Sequence, residues 1–354
     1  MKSNLINELV ILEVPEVGSI RPPQPDAPPD WDAILDAATV TGTQLDSMVV
    51  KPRECILGEW FRAGDLGFIY APRGAGKTWL SMHMAEAIAA GGKVGPWAAL
   101  KPRRVQYVDG EMALDLSQRR YRALIQSRAD NLKFLHHEVV FERTGRVLNL
   151  TSPAVQDALL RQALKNATDV LLLDNLSCLF SGVKENDADS WELILPWLLK
   201  LRRHGIAVIF VAHAGRNGQM RGTSRREDAA VWILSLSEST EGKPGSQGAR
   251  FLARFTKCRN TTSAAAPDLE WHFEPSGDDG VTVNFKVADP LSVMRGWIEE
   301  GLDTCTELAA EMEVSKGTIS KLARRAMKAG WLTITEGRRY KLVSLQDPRE
   351  PEAD

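Results

Sequence analysis

The sequence predicts an α/β fold with a mainly parallel central sheet and a small second domain at its C-terminal end. Three observations support this prediction. A glycine-rich turn at residues 71–76 joins an apolar, β-prone run to an alanine-rich helical segment. Two further apolar runs, at 170–173 and 206–212, are typical of strands buried on both faces of a parallel sheet. Beyond residue 290, three short helical patterns precede an alternating stretch, which suits a separate small domain.

Size and composition exclude several classes of protein. The 354 residues suffice for one large core with a satellite domain, or for two domains. The formal net charge is -2, so a nucleic-acid site must be local. The four cysteines lie far apart without a Cys-x-x-Cys pair, which argues against a disulfide framework or a zinc site. No apolar run is as long as a membrane span, so we expect a cytoplasmic protein without membrane contact.

We predict that residues 1–50 form a proline-rich N-terminal arm. Six prolines lie between Pro15 and Pro29, and proline at this density prevents regular strand pairing and favours an extended chain. A disordered leader and an arm that docks on a neighbouring subunit both fit this composition. The large domain is then expected over residues 51–288.

The glycine-rich turn has the composition of a P-loop. It passes through Lys77 and Thr78 into the helical segment, although Ala71 takes the place of the usual first glycine. Backbone N–H groups at a helix N-terminus bind phosphate, and glycines permit the close approach. We therefore expect Lys77 to reach the β- and γ-phosphates and the Thr78 hydroxyl to bind Mg²⁺. The predicted nucleotide-binding residues are Arg73, Gly74, Ala75, Gly76, Lys77 and Thr78.

The next apolar run ends in an acidic residue. Residues 105–108 predict a buried strand, and Glu111 follows closely after its end. The carboxyl ends of strands in open α/β sheets face the ligand crevice, so Glu111 is expected to point toward the nucleotide, with a solvated loop acid as the alternative. Arginines of the following helix, 113–128, are expected on a solvated face. Two short β-like runs, 138–142 and 146–150, come next.

The run at 170–173 leads into Asp174, which we expect to hold Mg²⁺ as a Walker B aspartate. Asn175 follows it, where some P-loop ATPases carry a second carboxylate. A carboxylate from another strand must therefore activate the attacking water, and Glu111 is the best placed candidate.

Three further features carry candidate functional residues. The apolar run at 206–212 delivers His213 to the same sheet edge, where it either senses the γ-phosphate or is structural. The loop at 214–227 is basic and glycine-rich, which suits binding a DNA single strand, a finger to the next subunit's nucleotide, or a merely solvated loop. Lys257 and Arg259 project from one side of an extended chain, so both can address one phosphate. The loop's arginines are Arg216, Arg221, Arg225 and Arg226.

Residues 289–345 resemble a winged helix-turn-helix domain, and residues 346–354 are an acidic tail. Thr304 and Glu307 form a predicted capping box, and a third helix and a two-stranded wing follow. Cations outnumber acids strongly in this third helix and wing, which suits the DNA backbone, although such domains also dock proteins. The DNA-binding candidates here are Lys316, Lys321, Arg324, Arg325, Arg338 and Arg339.

The ordered motifs APRGAGKT, YVDGE, LLLDN, FVAHAGRNGQMRGTSRRED and KCR resemble those of RecA-like ATPases of the RepA branch, with DnaB-type helicases as relatives. These are hexameric replicative helicases of broad-host-range plasmids. The resemblance implies a RecA-like P-loop NTPase core that uses ATP and Mg²⁺ and acts on DNA as a homo-oligomer. It further implies the following roles: Glu111 as the base, His213 as the γ-phosphate sensor, Arg221 as an inter-subunit finger, and Lys257 and Arg259 as assisting cations from the neighbour.

Two other functions fit the same residues. One is an ATP-switched DNA-binding regulator or partition-like factor, in which the C-terminal domain finds a DNA site and the ATPase controls assembly. The other is an adaptor with a slow ATPase, whose C-terminal domain recruits a protein. ATP turnover with and without single-stranded DNA separates these functions from a helicase.

Overall fold

The computed structural model describes residues 29–124, 130–180, 191–214, 224–239, 248–262, 264–277, 280–312, 314–335 and 337–343. The chain divides into two compact units, Met1–Pro52 and Arg53–Asp354. The predicted acidic tail, 346–354, lies outside the described residues. None of the helices in the described ranges combines the length and the apolar character needed to cross a bilayer.

The first unit contains two short helices, α1 (Trp31–Ala38) and α2 (Gly42–Ser47). The Asp30 side chain accepts a hydrogen bond from the Ala33 N–H at 3.2 Å and so caps α1. Thr41 and Gln44 form a capping box at the start of α2. The prolines that predict an extended arm over residues 1–50 all lie before Asp30, whereas the two capped helices lie after it.

The second unit is built on a nine-stranded sheet with the order β13-β12-β11-β10-β3-β9-β8-β6-β7. The strands from β10 to β7 in this order are parallel, whereas β11, β12 and β13 add to the sheet in antiparallel fashion. The predicted mainly parallel sheet is therefore confirmed. The nine strands are β3 (Leu66–Ala71), β6 (Val105–Asp109), β7 (Leu132–His136), β8 (Val170–Asp174), β9 (Ala207–His213), β10 (Trp232–Glu238), β11 (Ala249–Cys258), β12 (Leu269–Ser276) and β13 (Gly280–Val287).

Short two-stranded ribbons and helices complete the unit. The ribbons pair β1 (Cys55–Leu57) with β2 (Phe61–Arg62), β4 (Lys93–Val94) with β5 (Trp97–Ala98), and β14 (Leu332–Ile334) with β15 (Tyr340–Leu342). The helices are α3 (Lys77–Ala90), α4 (Leu114–Leu124), α5 (His137–Thr144), α6 (Pro153–Lys165), α7 (Leu176–Leu179), α8 (Leu195–Arg203), α9 (Ser224–Ala229), α10 (Pro290–Glu299), α11 (Cys305–Glu311) and α12 (Lys316–Lys328).

The strand predicted at 138–142 is wrong, because this segment belongs to α5. The His136 side chain accepts a hydrogen bond from the Glu138 N–H at 3.3 Å and caps the helix. Gly145, at φ 64°, ends it in a left-handed conformation that suits glycine. The strand of this region is β7, which immediately precedes the helix. The second β-like run, 146–150, forms no strand either.

Alternating side chains bury both faces of the sheet. In β3, Ile69 packs into the cluster that contains α3, whereas Phe68 and Tyr70 pack into the cluster on the opposite face. In β8, Leu172 and Leu173 divide between the two clusters in the same way. This burial explains the continuous apolar runs of the sequence and fixes the relative positions of the strand ends.

The C-terminal segment of the second unit has its own core. Its three helices, α10 to α12, and the β14–β15 ribbon enclose Met294, Leu308, Ile319 and Leu322. Three helices followed by an antiparallel ribbon is the order that the sequence predicts. The winged helix-turn-helix identity and the domain limits remain predictions.

A buried carboxylate anchors this segment on the sheet. Glu300, directly after α10, accepts hydrogen bonds from the Tyr70 hydroxyl at 3.1 Å and from the Ser235 hydroxyl at 2.5 Å. Its Oε1 atom also lies 2.6 Å from the Arg254 guanidinium, which stacks 3.7 Å above the Trp297 ring. Because Tyr70 belongs to β3, the anchor joins the C-terminal helices to the strand that leads into the P-loop.

Candidate active site

Four parallel strands end at one edge of the sheet and deliver the candidate residues there. Ala71, at the end of β3, pairs in register with His213 at the end of β9. Asp109 of β6 pairs with Asp174 of β8. Asp174 in turn pairs with Val211 of β9. The edge therefore collects the P-loop, the predicted Walker B aspartate and the predicted sensor from three separate parts of the chain.

The P-loop uses glycine where the backbone conformation disfavours side chains. Gly74 and Gly76 have φ angles of 78° and 104°, in the region that disfavours side chains. A Cβ atom at Gly76 would also lie 2.6 Å from the Phe251 ring. The Gly76 carbonyl accepts the Leu80 N–H at 3.0 Å, so α3 begins directly at the loop. The loop therefore presents the free N–H groups of a helix N-terminus, which bind phosphate.

Lys77 folds back across the loop. Its ammonium group donates hydrogen bonds to the carbonyls of Ala71 at 3.0 Å and Pro72 at 2.8 Å. Burial lowers the pKa of Lys77 to about 8, although the carboxylates of Asp174 and Glu111 act in the opposite direction. The Lys77 ammonium group thus lies at the point where the triphosphate of a nucleotide would bind.

Asp174 is buried among hydroxyl groups. It accepts the Tyr107 hydroxyl at 2.6 Å, and that hydroxyl also lies 3.0 Å from the Ser81 hydroxyl. Burial raises the pKa of Asp174 to about 6, against the hydrogen bonds from Tyr107 and Thr78. A carboxylate beside a threonine hydroxyl is the oxygen donor set that a hard cation prefers. Asp174 and Thr78 therefore fit Mg²⁺ and would hold it.

Asp109 braces the turn that carries Glu111. Its Oδ1 atom accepts the N–H groups of Glu111 and Met112, both at 3.0 Å. Its Oδ2 atom accepts the Ser117 hydroxyl, also at 3.0 Å. The Glu111 side chain is 48% exposed and its Oε2 atom lies 4.0 Å from His213 Nε2. A rigid turn thus presents the candidate base at the rim of the P-loop.

Asn175 connects Glu111 with His213, and sequence reasoning did not identify it. Its side-chain amide donates a hydrogen bond to Glu111 Oε2 and lies 3.1 Å from His213 Nε2. Its carbonyl oxygen accepts the Cys178 N–H at 3.1 Å. In the sequence, Asn175 was notable only because it is not a carboxylate.

A cleft of about 950 Å³ extends from the P-loop to α4 and β13. The predicted residues that line it are Arg73, Gly74, Gly76, Lys77, Thr78, Glu111 and His213. The cleft is also lined by Trp79, Arg119 and Arg120.

The sequence suggested that Arg120 lies on a solvated helix face, but the residue lines the cleft. Its guanidinium lies 5.6 Å from the centre of the Trp79 ring. Arg119 pairs with Asp115 at 3.6 Å and is well exposed. The signal that could have found Arg120 is its helical spacing of four residues from Leu116, which faces the cleft.

Lys257 and Arg259 do not reach the cleft of their own chain. Cys258 pairs with Trp232, and Trp232 pairs with Gly67 near the start of β3. Lys257 therefore lies at the edge opposite the P-loop, where its ammonium donates to the Glu227 carbonyl. Any contact of these two cations with a nucleotide must involve a different subunit.

The basic loop is only partly described. Arg216 and Arg221 lie outside the described residues, as does the side chain of Arg225. The side chain of Arg226 is described: the residue is 4% exposed, with its guanidinium 5.7 Å from the Trp191 ring. A DNA contact requires an accessible side chain, so the surface role expected for Arg226 does not fit its position.

The cations of the C-terminal segment lie on the surface. Helix α12 buries Ile319 and Leu322, which leaves its basic residues on the outer face. Arg339, in the β14–β15 ribbon, pairs with Asp303 at 2.7 Å and so ties the ribbon to the turn before α11. The exposed candidates are Lys316, Lys321, Arg324, Arg325, Arg338 and Arg339.

Fold and site together define a RecA-like P-loop ATPase core: β9 separates the P-loop strand from the Asp174 strand, and a further strand supplies Glu111. Residues 9–219 match the family model AAA_25, an AAA domain, and the chain belongs to this family. Members of P-loop ATPase families generally use ATP and Mg²⁺. A search of the curated proteins finds no significant match.

Two solved structures are similar to part of the chain. One is the flagellar accessory protein FlaH from Methanocaldococcus jannaschii, with 14% identity and a TM-score of 0.43, over 63% of this chain and 90% of that chain. The other is a KaiC-like protein from Pyrococcus horikoshii OT3, with 13% identity and a TM-score of 0.44, over 66% of this chain and 100% of that chain.

Proposed function

We propose that the protein is an ATP-driven motor that acts on DNA, an oligomeric helicase or translocase of the RepA-like kind that serves plasmid or phage replication. One observation carries the proposal: Glu111, in the turn that follows β6 and not β8, the strand of Asp174, lies 4.0 Å from His213 at the rim of the P-loop cleft. This arrangement supports water activation by a carboxylate that is separate from the metal-binding acid.

The residues of the cleft divide the work of hydrolysis. Glu111 would orient a water molecule in line with the γ-phosphorus and accept its proton. Lys77 would leave the carbonyls of Ala71 and Pro72 for the phosphate oxygens, and His213 would contact the γ-phosphate. Thr78 and Asp174 would hold Mg²⁺, which when bound would neutralise phosphate charge that develops in the transition state.

The position of Lys257 and Arg259 supports an assembly in which one subunit completes the site of the next. Cations at the opposite sheet edge meet a cleft only if subunits associate head to tail, and such contacts form a ring when the rotation between neighbours closes. A homo-oligomer is therefore proposed, with a hexamer implied by the resemblance. Arg221 would act as the finger, because a cation supplied from a neighbour stabilises the transferring phosphoryl group.

DNA would be engaged at two places. The loop at 214–227 follows His213 directly, so a change at the γ-phosphate would reposition it against a single strand. The exposed cations of α12 and the β14–β15 ribbon would contact the phosphates of duplex DNA. A second function, an ATP-switched DNA-binding regulator, is favoured by the anchor between Glu300 and Tyr70, which links this basic segment to the P-loop strand.

The test is ATP turnover with and without single-stranded DNA, together with unwinding of a forked duplex. We expect strong stimulation by single-stranded DNA and ATP-dependent unwinding, both abolished in Lys77→Ala. Sequence-specific duplex binding without unwinding would support the regulator instead. Size-exclusion chromatography in the presence of ATP measures the oligomeric state. An enzyme that stays monomeric and is fully active would contradict the role of the neighbouring subunit.

A further inference from the structure

We propose that Asn175 is a positioning residue that holds Glu111 and His213 in the alignment needed for ATP hydrolysis. The inference deepens the proposed function and rests on Glu111 acting as the base. Asn175 is fully buried between the end of β8 and the start of α7. Its side-chain nitrogen contacts both Glu111 and His213.

The chemistry of its partners fixes the orientation of the Asn175 amide. The Cys178 N–H can only donate, so the oxygen of the amide must face it. The nitrogen of the amide must then face the Glu111 carboxylate, which can only accept. A reversed amide would lose both hydrogen bonds at once. The amide nitrogen of Asn175 therefore faces the cleft.

The two hydrogens of that nitrogen serve two different acceptors. One is donated to Glu111 Oε2, and the other points to His213 Nε2 at 3.1 Å. The amide nitrogen can only donate, so this contact is a hydrogen bond when His213 Nε2 is the accepting nitrogen of the ring. Asn175 therefore contacts both the carboxylate and the histidine from one side-chain nitrogen.

This arrangement leaves one Glu111 oxygen for water. Oε2 is held by Asn175, whereas Oε1 has no hydrogen-bond partner among the described residues. A carboxylate fixed at one oxygen presents the other in a defined direction, and a general base depends on such geometry. Without the amide, a side chain that is 48% exposed would sample several rotamers above the P-loop.

Asn175 also caps α7, so the test must separate the two roles. Serine and aspartate both cap helices well through a side-chain oxygen, but neither places an N–H donor at Glu111. Asn175→Ser removes the donor without adding charge. Asn175→Asp removes the donor and places a second carboxylate against Glu111. Asn166→Ser is the matched control, since Asn166 follows α6 and accepts from Lys133 at 2.9 Å, near the amino ends of the strands.

Steady-state ATP hydrolysis is measured for the full chain and the three variants, with thermal unfolding and fluorescent-nucleotide affinity alongside. In Asn175→Ser we expect kcat to fall about 10- to 100-fold, the loss typical of a disturbed general base, with KM and nucleotide affinity within about twofold. In Asn175→Asp we expect a larger loss of kcat. Asn166→Ser should match the wild type in all three measurements.

Wild-type kcat in both Asn175 variants would overturn the inference. A raised basal rate would also overturn it, because the amide would then restrain Glu111 instead of aligning it. A parallel loss of nucleotide affinity would show a general collapse of the site and would count against it as well. A wild-type protein that hydrolyses ATP without any response to DNA contradicts the motor but still allows this test; one that hydrolyses no ATP contradicts both.

Discussion

The nucleotide cleft and the basic C-terminal segment differ in how their charged side chains are held. Behind the residues that line the cleft, Asp174 is buried and hydrogen-bonded to Tyr107 at 2.6 Å, and Asp109 accepts three hydrogen bonds. In the C-terminal segment, the cations of α12 are exposed. We therefore expect activity in the cleft to depend on the exact position of single side chains. In the C-terminal segment, we expect binding to depend on the total positive charge of the surface.

Among the substitutions that test this contrast, Glu111→Gln is expected to lower ATP hydrolysis the most. Glutamine keeps the shape of the side chain and can still pair with Asn175, but it cannot accept a proton from water. We expect kcat for ATP to fall about 10²- to 10⁴-fold, as for the loss of a general base, with nucleotide affinity retained. Phosphate release in single-turnover and steady-state assays measures this change. Activity above a tenth of wild type would assign the base to another group.

Breaking the anchor between the two regions is expected to lower stability more than any surface change. Glu300→Gln leaves the buried Arg254 guanidinium without its ion-pair partner, which lies 2.6 Å away in the native protein. Loss of one partner of a buried pair costs about 3–5 kcal/mol of unfolding free energy. Urea unfolding at neutral pH measures this change, with Glu311→Gln, on the exposed side of α11, as the control. A loss below about 1 kcal/mol would show that the anchor is replaceable.

The fold was largely predictable because burial on both faces leaves a strong trace in sequence. Val170 to Leu173 form an unbroken apolar run, and their strand has the predicted position and environment. Helix α5 was not predictable in this way, because Val139 and Val140 favour strands and the helix is determined by its caps at His136 and Gly145. Local pattern predicts elements well where burial dominates and poorly where capping decides.

The candidate site was predictable only in part, for a different physical reason. Lys77, Asp174 and Glu111 stand at strand ends, where position along the sequence already implies position in a parallel sheet. The role of Asn175 arises from the convergence of β6, β8 and β9, which no local pattern records. Arg120 reaches the cleft because α4 packs against α3 and β13, a tertiary contact that charge patterning did not indicate.

The double substitution Lys257→Ala with Arg259→Ala tests whether the cleft needs another subunit. These cations lie at the opposite sheet edge, so we expect ATP turnover to fall about 10- to 100-fold, below the effect of a complete arginine finger. Mixing this variant with Glu111→Gln should restore part of the activity, because the Glu111→Gln subunit donates intact cations to an intact neighbouring cleft. Two variants that stay inactive when mixed, although they co-assemble, would contradict action between subunits.

Removing surface charge from α12 is expected to have the smallest effect of these changes. It should weaken DNA binding without changing ATP hydrolysis. The triple substitution Lys321→Ala, Arg324→Ala and Arg325→Ala leaves the buried residues of the helix, such as Ile319 and Leu322, in place. If each cation contacts one phosphate, the slope of log affinity against log salt falls by about 0.9 for each lost contact on duplex DNA.

ATP turnover without DNA should stay at the wild-type level in this triple variant, because α12 contributes no residue to the cleft. Fluorescence anisotropy over a salt series measures DNA affinity, and Glu311→Gln again serves as the surface control. An unchanged salt slope would remove α12 from the DNA surface and would favour protein docking by this segment. A loss of basal turnover would instead show that the segment acts on the P-loop strand through Glu300 and Tyr70, and the two regions would then function as one.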